Sequence, residues 1–340
     1  MSPRRAPSSR ATIHDVAAVA GVSRGTVSRV LNDEAYVSDS ARSAVEAAID
    51  EVGYVRNTAA RNLVTRQSRA VALVVHEPHS LFLEDPNIGN ILLGINSALS
   101  EADYQLVSLV IDSDRDSQRV ADYLRGGFVD GVIIVSARAH DPLAKVVSQI
   151  KIPAAFVGHP VDIEGIPFVG IDNLNAARAI TERLIATGRT RIGMIAAGLD
   201  RDSGQDRVAG FTAALGAAFD PSLVVQVPLY SYSSGLDGMN ELLRRAPDLD
   251  GVFASSDAIA AGALDALRAA GRRVPDDLGI VGFDDSAWAL RTQPPLSTVH
   301  QPASGLGRGA AESVLAQIRG EVVDVAGTLL ETHLVWRGSA

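Results

Sequence analysis

The sequence predicts an α/β protein in which a small all-α N-terminal headpiece precedes a body of two doubly wound parallel-sheet subdomains. Residues 12–32, TIHDVAAVAGVSRGTVSRVLN, read as two short amphipathic helices joined by a tight turn. From Arg69 onward, apolar runs alternate with amphipathic stretches, the pattern of a parallel sheet with helices on both faces. That alternation runs through two successive sets in a chain of 340 residues, enough for two or three domains with sizeable cores.

In the headpiece, Ile13, Val16, Ala17 and Ala20 recur at i, i+3, i+4 and i+7 and share one helix face. Thr12 is placed to cap that helix, and Asp15 sits in its electropositive first turn. Gly21 suits the left-handed residue that ends it, and Ser23 can cap a second helix beginning near Arg24. Val27, Val30 and Leu31 then point inward, leaving Arg24, Gly25, Thr26, Ser28 and Arg29 outward as a face with donors and no carboxylate. A third helix is predicted over 38–52, with Ser38 as cap, Val45, Ala48, Ile49 and Val52 inward and Gly53 as stop. Three such helices sharing a core make the helix-turn-helix arrangement whose second helix enters the major groove of duplex DNA. Arg24 and Gly25 are expected to set base choice, with Thr26, Ser28 and Arg29 divided between bases and phosphates. Thr12, Ser23, Asn32, Tyr54 and Asn57 complete the expected contacts in the headpiece.

Gly21-Val22-Ser23-Arg24-Gly25 also fits the G-x-S-x-G elbow of serine hydrolases. That elbow needs a strand before its serine, and a helical pattern precedes this one.

Charge is unevenly distributed. The net charge is -9, yet residues 1–69 hold 10 Arg against 7 acidic residues, so a +3 segment precedes a -12 body. The asymmetry suits phosphate contact by the N-terminal part alone. There are no cysteines, which removes disulfides and thiolate chemistry. No stretch is long and apolar enough to span a bilayer, and the basic start MSPRRAPSSR lacks the apolar region of a secretory signal. A cytoplasmic protein without membrane contact is expected. Residues 1–11 read as a disordered tail, residues 12–57 as the headpiece, and residues 58–69 as a short helix and linker too brief and too polar to be stable alone.

In the body, residues 70–340, strands are predicted at 71–75, 105–111, 131–135 and 154–157, with helices at 87–102, 117–126 and 142–150. A second set opens with the strand at 168–171. It continues through helix 176–186, strand 191–196, helix 206–215, strand 223–227, helix 235–245, strand 251–254, helix 258–270 and strand 279–283. Thr298-Val299-His300 and a helix at 305–320 return to the first subdomain. The N-subdomain is therefore placed at 70–166 plus 298–320, and the C-subdomain at 167–297 plus a C-terminal strand. A ligand cleft is expected between the carboxyl ends of the two sheets.

The run GVS, two variable residues, then TVSRVLN closely resembles the DNA-binding headpiece of the lactose and galactose repressor (LacI/GalR) family. The body resembles that family's periplasmic-binding-protein-like effector domain through Arg207-Val208-Ala209-Gly210-Phe211, Phe253-Ala254-Ser255-Ser256-Asp257, Gly279-Ile280-Val281-Gly282-Phe283-Asp284-Asp285 and Pro295-Leu296-Ser297-Thr298-Val299. The resemblance implies a transcriptional repressor that binds double-stranded operator DNA as a homodimer and answers to a small effector. It also implies a hinge helix whose Leu63, preceded by Ala60, wedges into the minor groove.

Asp284 follows an apolar strand and should face the cleft, and Arg207 carries a guanidinium that can fork to vicinal hydroxyls or a carboxylate. The resemblance implies effector contact for both, and places Phe82, Tyr230 and Ser256 at cleft positions, with Ser256 where an amide is common. Asp257 is read as a cap for the following helix, Trp288 as either an aromatic platform or a packed side chain, and His159 as standing where the family often has arginine. The expected effector is a sugar; a purine or nucleoside effector stays open, because Arg207 and Asp284 can bond either class. A transporter's solute-binding protein would need an export signal and would lack residues 12–32. An enzyme is not expected: no Gly-Lys pair makes a P-loop, Gly305, Gly307 and Gly309 do not make a dinucleotide fingerprint, and the His76/His79 pair has only Glu77 nearby for a metal. No cofactor and no metal are expected.

Overall fold

The computed structural model describes residues 11–34, 36–55, 67–138, 142–159 and 165–340, which fall into two compact units dividing at Gln67 and Ser68.

The first unit holds three helices, α1 (Ile13–Ala20), α2 (Arg24–Leu31) and α3 (Asp39–Val52). Local chemistry sets each end. The Asp15 carboxylate accepts from the Thr12 backbone N–H and hydroxyl at 2.8 and 2.7 Å. Gly21 ends α1 at φ 67°, the Ser23 hydroxyl accepts from the Thr26 N–H at 3.1 Å, and Gly53 ends α3 at φ 63°. Val16, Ala17, Val27, Val30, Val45 and Ala48 form the core, with Ile49, Val52 and Tyr54 packed at its edge.

In chain order the strands of the second unit are β1 (Ala70–Val75), β2 (Gln105–Val110), β3 (Gly131–Val135), β4 (Ala154–Val157), β5 (Phe168–Ile171), β6 (Ile192–Ala196), β7 (Val224–Gln226), β8 (Gly251–Ala254), β9 (Gly279–Val281), β10 (Thr298–His300), β11 (Thr328–Leu330) and β12 (His333–Val335). One sheet is six-stranded and parallel in the order β11-β5-β4-β3-β1-β2; the other is four-stranded and parallel in the order β7-β6-β8-β9. In β1, Val71, Leu73 and Val75 pack with helices Pro86–Glu101 and Ala303–Ile318, while Ala72 and Val74 pack with Asp114–Arg125 and Pro142–Ile150. A strand covered on both faces reads as an unbroken apolar run, which is how AVALVV is written. Helices Asn173–Ile185 and Asp202–Leu215 cover one face of the second sheet, and Tyr232–Arg245 and Asp257–Ala269 the other. Glycine permits the tightest helix pairing: a Cβ on Gly94 would lie 2.0 Å from the Ser304 carbonyl oxygen, and one on Gly307 would lie 2.1 Å from that of Ile91.

The sheets depart from the sequence reading in several strands; Thr298–His300, expected to return to the first subdomain, pairs with β12 in a separate two-stranded sheet. Phe168–Ile171, placed at the head of the second subdomain, is β5, and it pairs with β4 and β11 in the first sheet. Its apolar pattern carries no mark of which sheet it joins. The near-C-terminal strands likewise divide, β11 joining the first sheet and β12 pairing antiparallel with β10. Several helices begin earlier than periodicity suggests because a cap lies upstream of the first apolar residue: Ser113 caps Asp114–Arg125, and Ser231 caps Tyr232–Arg245. His79 starts the helix His79–Glu84, and its ring bonds Asp112 at 2.8 Å.

Candidate functional site

In the headpiece, Arg24, Gly25 and Arg29 are exposed on α2, Thr26 and Ser28 are partly exposed, and Val27 and Val30 are buried behind them. No strand precedes Ser23, so its G-x-S-x-G setting is a helix cap. Thr12 and Asn32 are exposed at helix ends, and Tyr54 is partly buried against the core. Asn57, Ala60 and Leu63 lie outside the described residues.

In the body, a cavity of about 130 Å³ opens where the carboxyl ends of both sheets face each other. Segments following β1, β3, β4 and β5 supply Asp85, Asn87, Ser136, Gly158 and Asn173; segments following β6, β7, β9 and β10 supply Arg201, Arg207, Tyr230, Asp284 and Gln301. Parallel strands all end on one edge of their sheet, so residues far apart in sequence converge there. The volume is below the roughly 300–1,000 Å³ of a drug-sized ligand pocket, so admitting a ligand of that size requires the subdomains to part.

Arg207 lines the cavity. Its Nε donates to Asn173 Oδ1 at 3.1 Å, its terminal nitrogen donates to the Ser255 carbonyl at 2.6 Å and stands 3.6 Å from Asp284 Oδ1, and its guanidinium carbon lies 3.7 Å from the centroid of the Phe283 ring. Asp284 follows β9 with φ 113°, a strained value for a residue with a side chain. Its backbone N–H donates to Val299 O at 2.8 Å, and its Oδ1 accepts from Gln301 Nε2 at 2.7 Å. Burial pushes the Asp284 carboxyl well above the usual carboxylate range, with Arg207 pulling the other way. Asp85 caps the helix Pro86–Glu101, accepting from the Asn87 N–H at 2.8 Å, and burial pushes its carboxyl up to about 6. Asp202 accepts from the His159 N–H at 2.6 Å and is also raised by burial.

Tyr230 completes the wall. A Cβ on Gly198 would lie 2.6 Å from its ring, so glycine there makes room for it. Its hydroxyl is buried and has no hydrogen-bond partner among the described residues. Beside it, Arg201 and Glu77 form a buried ion pair across the two subdomains, and Glu77 Oε2 accepts no hydrogen bond among the described residues.

Of the six cleft residues named from the sequence, Arg207, Tyr230 and Asp284 line the cavity. Phe82, His159 and Ser256 are not among its lining residues. Phe82 packs on the hydrophobic core, the His159 ring meets the edge of Phe168 at 4.5 Å, and Ser256 caps Asp257–Ala269 by accepting from the Ile259 N–H. Asp257, read as that cap, is instead the first helical residue. It accepts from Thr298 Oγ1 and the Ser286 N–H at 2.7 Å each, and burial pushes its carboxyl up to about 7. Trp288 stacks on Tyr232 away from the cavity lining. Sequence reasoning missed Glu77, Asp85, Asn87, Arg201, Asp202 and Gln301. Only Asp85 carried a usable signal, the cap-then-proline pair Asp85-Pro86.

Residues 12–57 match the family model described as bacterial regulatory proteins, lacI family, and residues 181–340 match that of the periplasmic binding protein-like domain. Over 344 aligned residues the chain is 43% identical to the HTH-type transcriptional regulator CelR of Thermobifida fusca, with 100% of each protein covered. The chain belongs to the lacI family of bacterial regulatory proteins. This family member is also 30% identical to the ribose operon repressor of Escherichia coli (strain K12), over 97% of this chain and 100% of the relative. Among solved structures, a CelR-cellobiose complex matches it with a TM-score of 0.78 at 42% identity, covering 97% of this chain and 100% of that one. A lac repressor dimer bound to operator and an anti-inducer matches with a TM-score of 0.87 at 26% identity, covering 97% and 99%. These relatives are regulators, and this lacI-family chain is a DNA-binding regulator and not an enzyme. Among the described residues of the protein no helix is long and apolar enough to cross a membrane.

Proposed function

We propose that the protein is a cytoplasmic transcriptional repressor that binds an operator as a homodimer and is controlled by a sugar seated in the cleft. The observation that carries the reading is the cavity wall, where the buried Tyr230 hydroxyl, without a hydrogen-bond partner among the described residues, adjoins the Arg207–Asp284 pair. Such a wall presents donors and acceptors to a hydroxyl-rich ligand. The cellobiose carried by the CelR complex makes that disaccharide the first ligand to try. Arg24 and Gly25 set base choice, Thr26, Ser28 and Arg29 are divided between bases and phosphates, Thr12, Ser23, Asn32, Tyr54 and Asn57 complete the DNA contacts, and Leu63 after Ala60 supplies the minor-groove wedge. Arg207, Tyr230 and Asp284 hold the effector.

Because the relation between two ligands on one protein is reciprocal, an inducing sugar lowers operator affinity by the factor by which operator lowers sugar affinity. The test selects a duplex from a random pool with the purified protein, then titrates it by fluorescence anisotropy with and without cellobiose, other neutral sugars and nucleosides. The reading expects one sugar to shift the curve. A shift by nucleosides alone moves the effector to that class, and a protein that selects no duplex is not this regulator.

A further inference from the structure

The charge inventory of the cleft goes one step further than the proposed function and rests on it. Among the described residues two cations line the cavity, and each already faces a carboxyl group. Arg201 is paired with Glu77 in a contact buried on both sides. Arg207 donates through Nε to Asn173 and through one terminal nitrogen to the Ser255 carbonyl, faces Asp284, and keeps its remaining N–H groups for a ligand. Against them stand four carboxyl groups, on Glu77, Asp85, Asp202 and Asp284. Asp85 and Asp202 accept backbone N–H groups and have no ion-pair partner among the described residues. The wall atoms without a hydrogen bond among the described residues include Glu77 Oε2 and the Tyr230 hydroxyl. A ligand hydroxyl can donate to such acceptors, whereas a ligand carboxylate or phosphate finds, among the described residues, each cation already facing a carboxyl group and at pH 8 meets the ionised Asp85 in a setting that screens it poorly.

We infer that the cleft selects uncharged sugars against their anionic counterparts, and that Asp85 is the specificity-determining carboxylate that rejects the anion. Asp85 suits this role because its position is set by capping: the carboxyl is held at the start of Pro86–Glu101 and cannot swing to an outside partner without losing the Asn87 N–H. The groups facing it electrostatically are Glu77, Glu84 and Arg207, with the carboxyl of Asp284 on the opposite wall. Its raised proton affinity makes the rejection tunable, since below pH 6 the group is increasingly neutral and its repulsion fades.

The probes are cellobiose and the disaccharide that differs from it only in carrying a carboxylate at the non-reducing C6, titrated calorimetrically into the full-length protein at pH 8 and pH 5. Binding of cellobiose at least 30-fold tighter than of the uronate at pH 8, with that ratio falling several-fold at pH 5, is the expected result. Asp85→Asn, which keeps a capping oxygen, should reduce the pH 8 ratio about tenfold while binding cellobiose. Equal affinities for the two ligands at pH 8 overturn the selectivity and leave the sugar reading standing. A large ratio that ignores both pH and Asp85→Asn overturns the role of Asp85. If no neutral sugar binds, the proposed effector class itself fails, and the selectivity with it.

Discussion

Arg201 and Glu77 meet across the two subdomains as an ion pair with 8% and 2% of their side chains exposed. A half-buried shell surrounds them, in which Arg138 lies 3.3 Å from Asp200 and 4.0 Å from Glu77. Burying both charges is costly, and the pair is tolerated because each partner neutralises the other. With the Glu84 carboxylate accepting from the Tyr232 N–H at 3.0 Å, this contact holds the subdomains together at the mouth of the cavity.

Removing one partner strands the other. Arg201→Ala should destabilise the body by about 3–5 kcal/mol, as is usual when a buried charge loses its partner. Urea denaturation of wild type and variant measures this. Replacing both residues by methionine should cost much less than Arg201→Ala alone; equal costs would mean that the pair holds little of the interface.

Asp284 faces Arg207 at 3.6 Å and takes a hydrogen bond from Gln301. Asp284→Asn keeps the side chain's shape and tolerates the positive φ better than most residues. It should weaken the effector about tenfold, the worth of one hydrogen bond, and leave operator affinity without effector unchanged. Anisotropy titrations with and without sugar check it, and an intact response would take Asp284 out of the site.

On α2, Ser23 caps the helix and Arg29 is exposed in its last turn. Ser23→Ala should cost the headpiece about 1 kcal/mol, read from its thermal transition. Arg29→Ala, if Arg29 meets a phosphate, should lower the slope of log affinity against log salt by about 0.9. A slope equal to that of wild type would assign Arg29 elsewhere.

Asp85 predicts a pH dependence of stability. Its carboxyl rises from 3.8 in the unfolded chain to about 6 in the native state, so between those values the folded protein holds more proton. The stability it contributes is present below about pH 4 and is lost as pH rises through about 6. Asp257, at about 7, acts with the same sign over a window reaching slightly higher. Asp85→Asn should therefore gain in melting temperature relative to wild type on going from pH 4.5 to pH 8. A difference in melting temperature that stays constant over that range would refute the assignment.

Much of this molecule is written locally. The headpiece helices end at Gly21, Ser23, Ser38 and Gly53 because caps and left-handed glycines act over one turn, and the inward residues follow a 3.6 period that side-chain burial repeats. Arg207 and Asp284 were legible in another way, as charged residues in otherwise recognisable runs beside strand ends. Phe82 and Ser256 came from the same family pattern and have local duties instead, one packed on the core and one capping a helix.

The sequence by itself determined the three-helix headpiece, the alternation of strands and helices and the basic-then-acidic division of charge, because each follows from near neighbours or from composition. Tertiary structure alone decided that β5 stays in the first sheet, that Asp257 ties Thr298 to Ser286, and that Arg201 meets Glu77, a residue 124 positions away. Those outcomes depend on which strand ends face one another and on which charges lose their water when they do. Pairing and desolvation are properties of the assembled fold, and no window of the chain contains them.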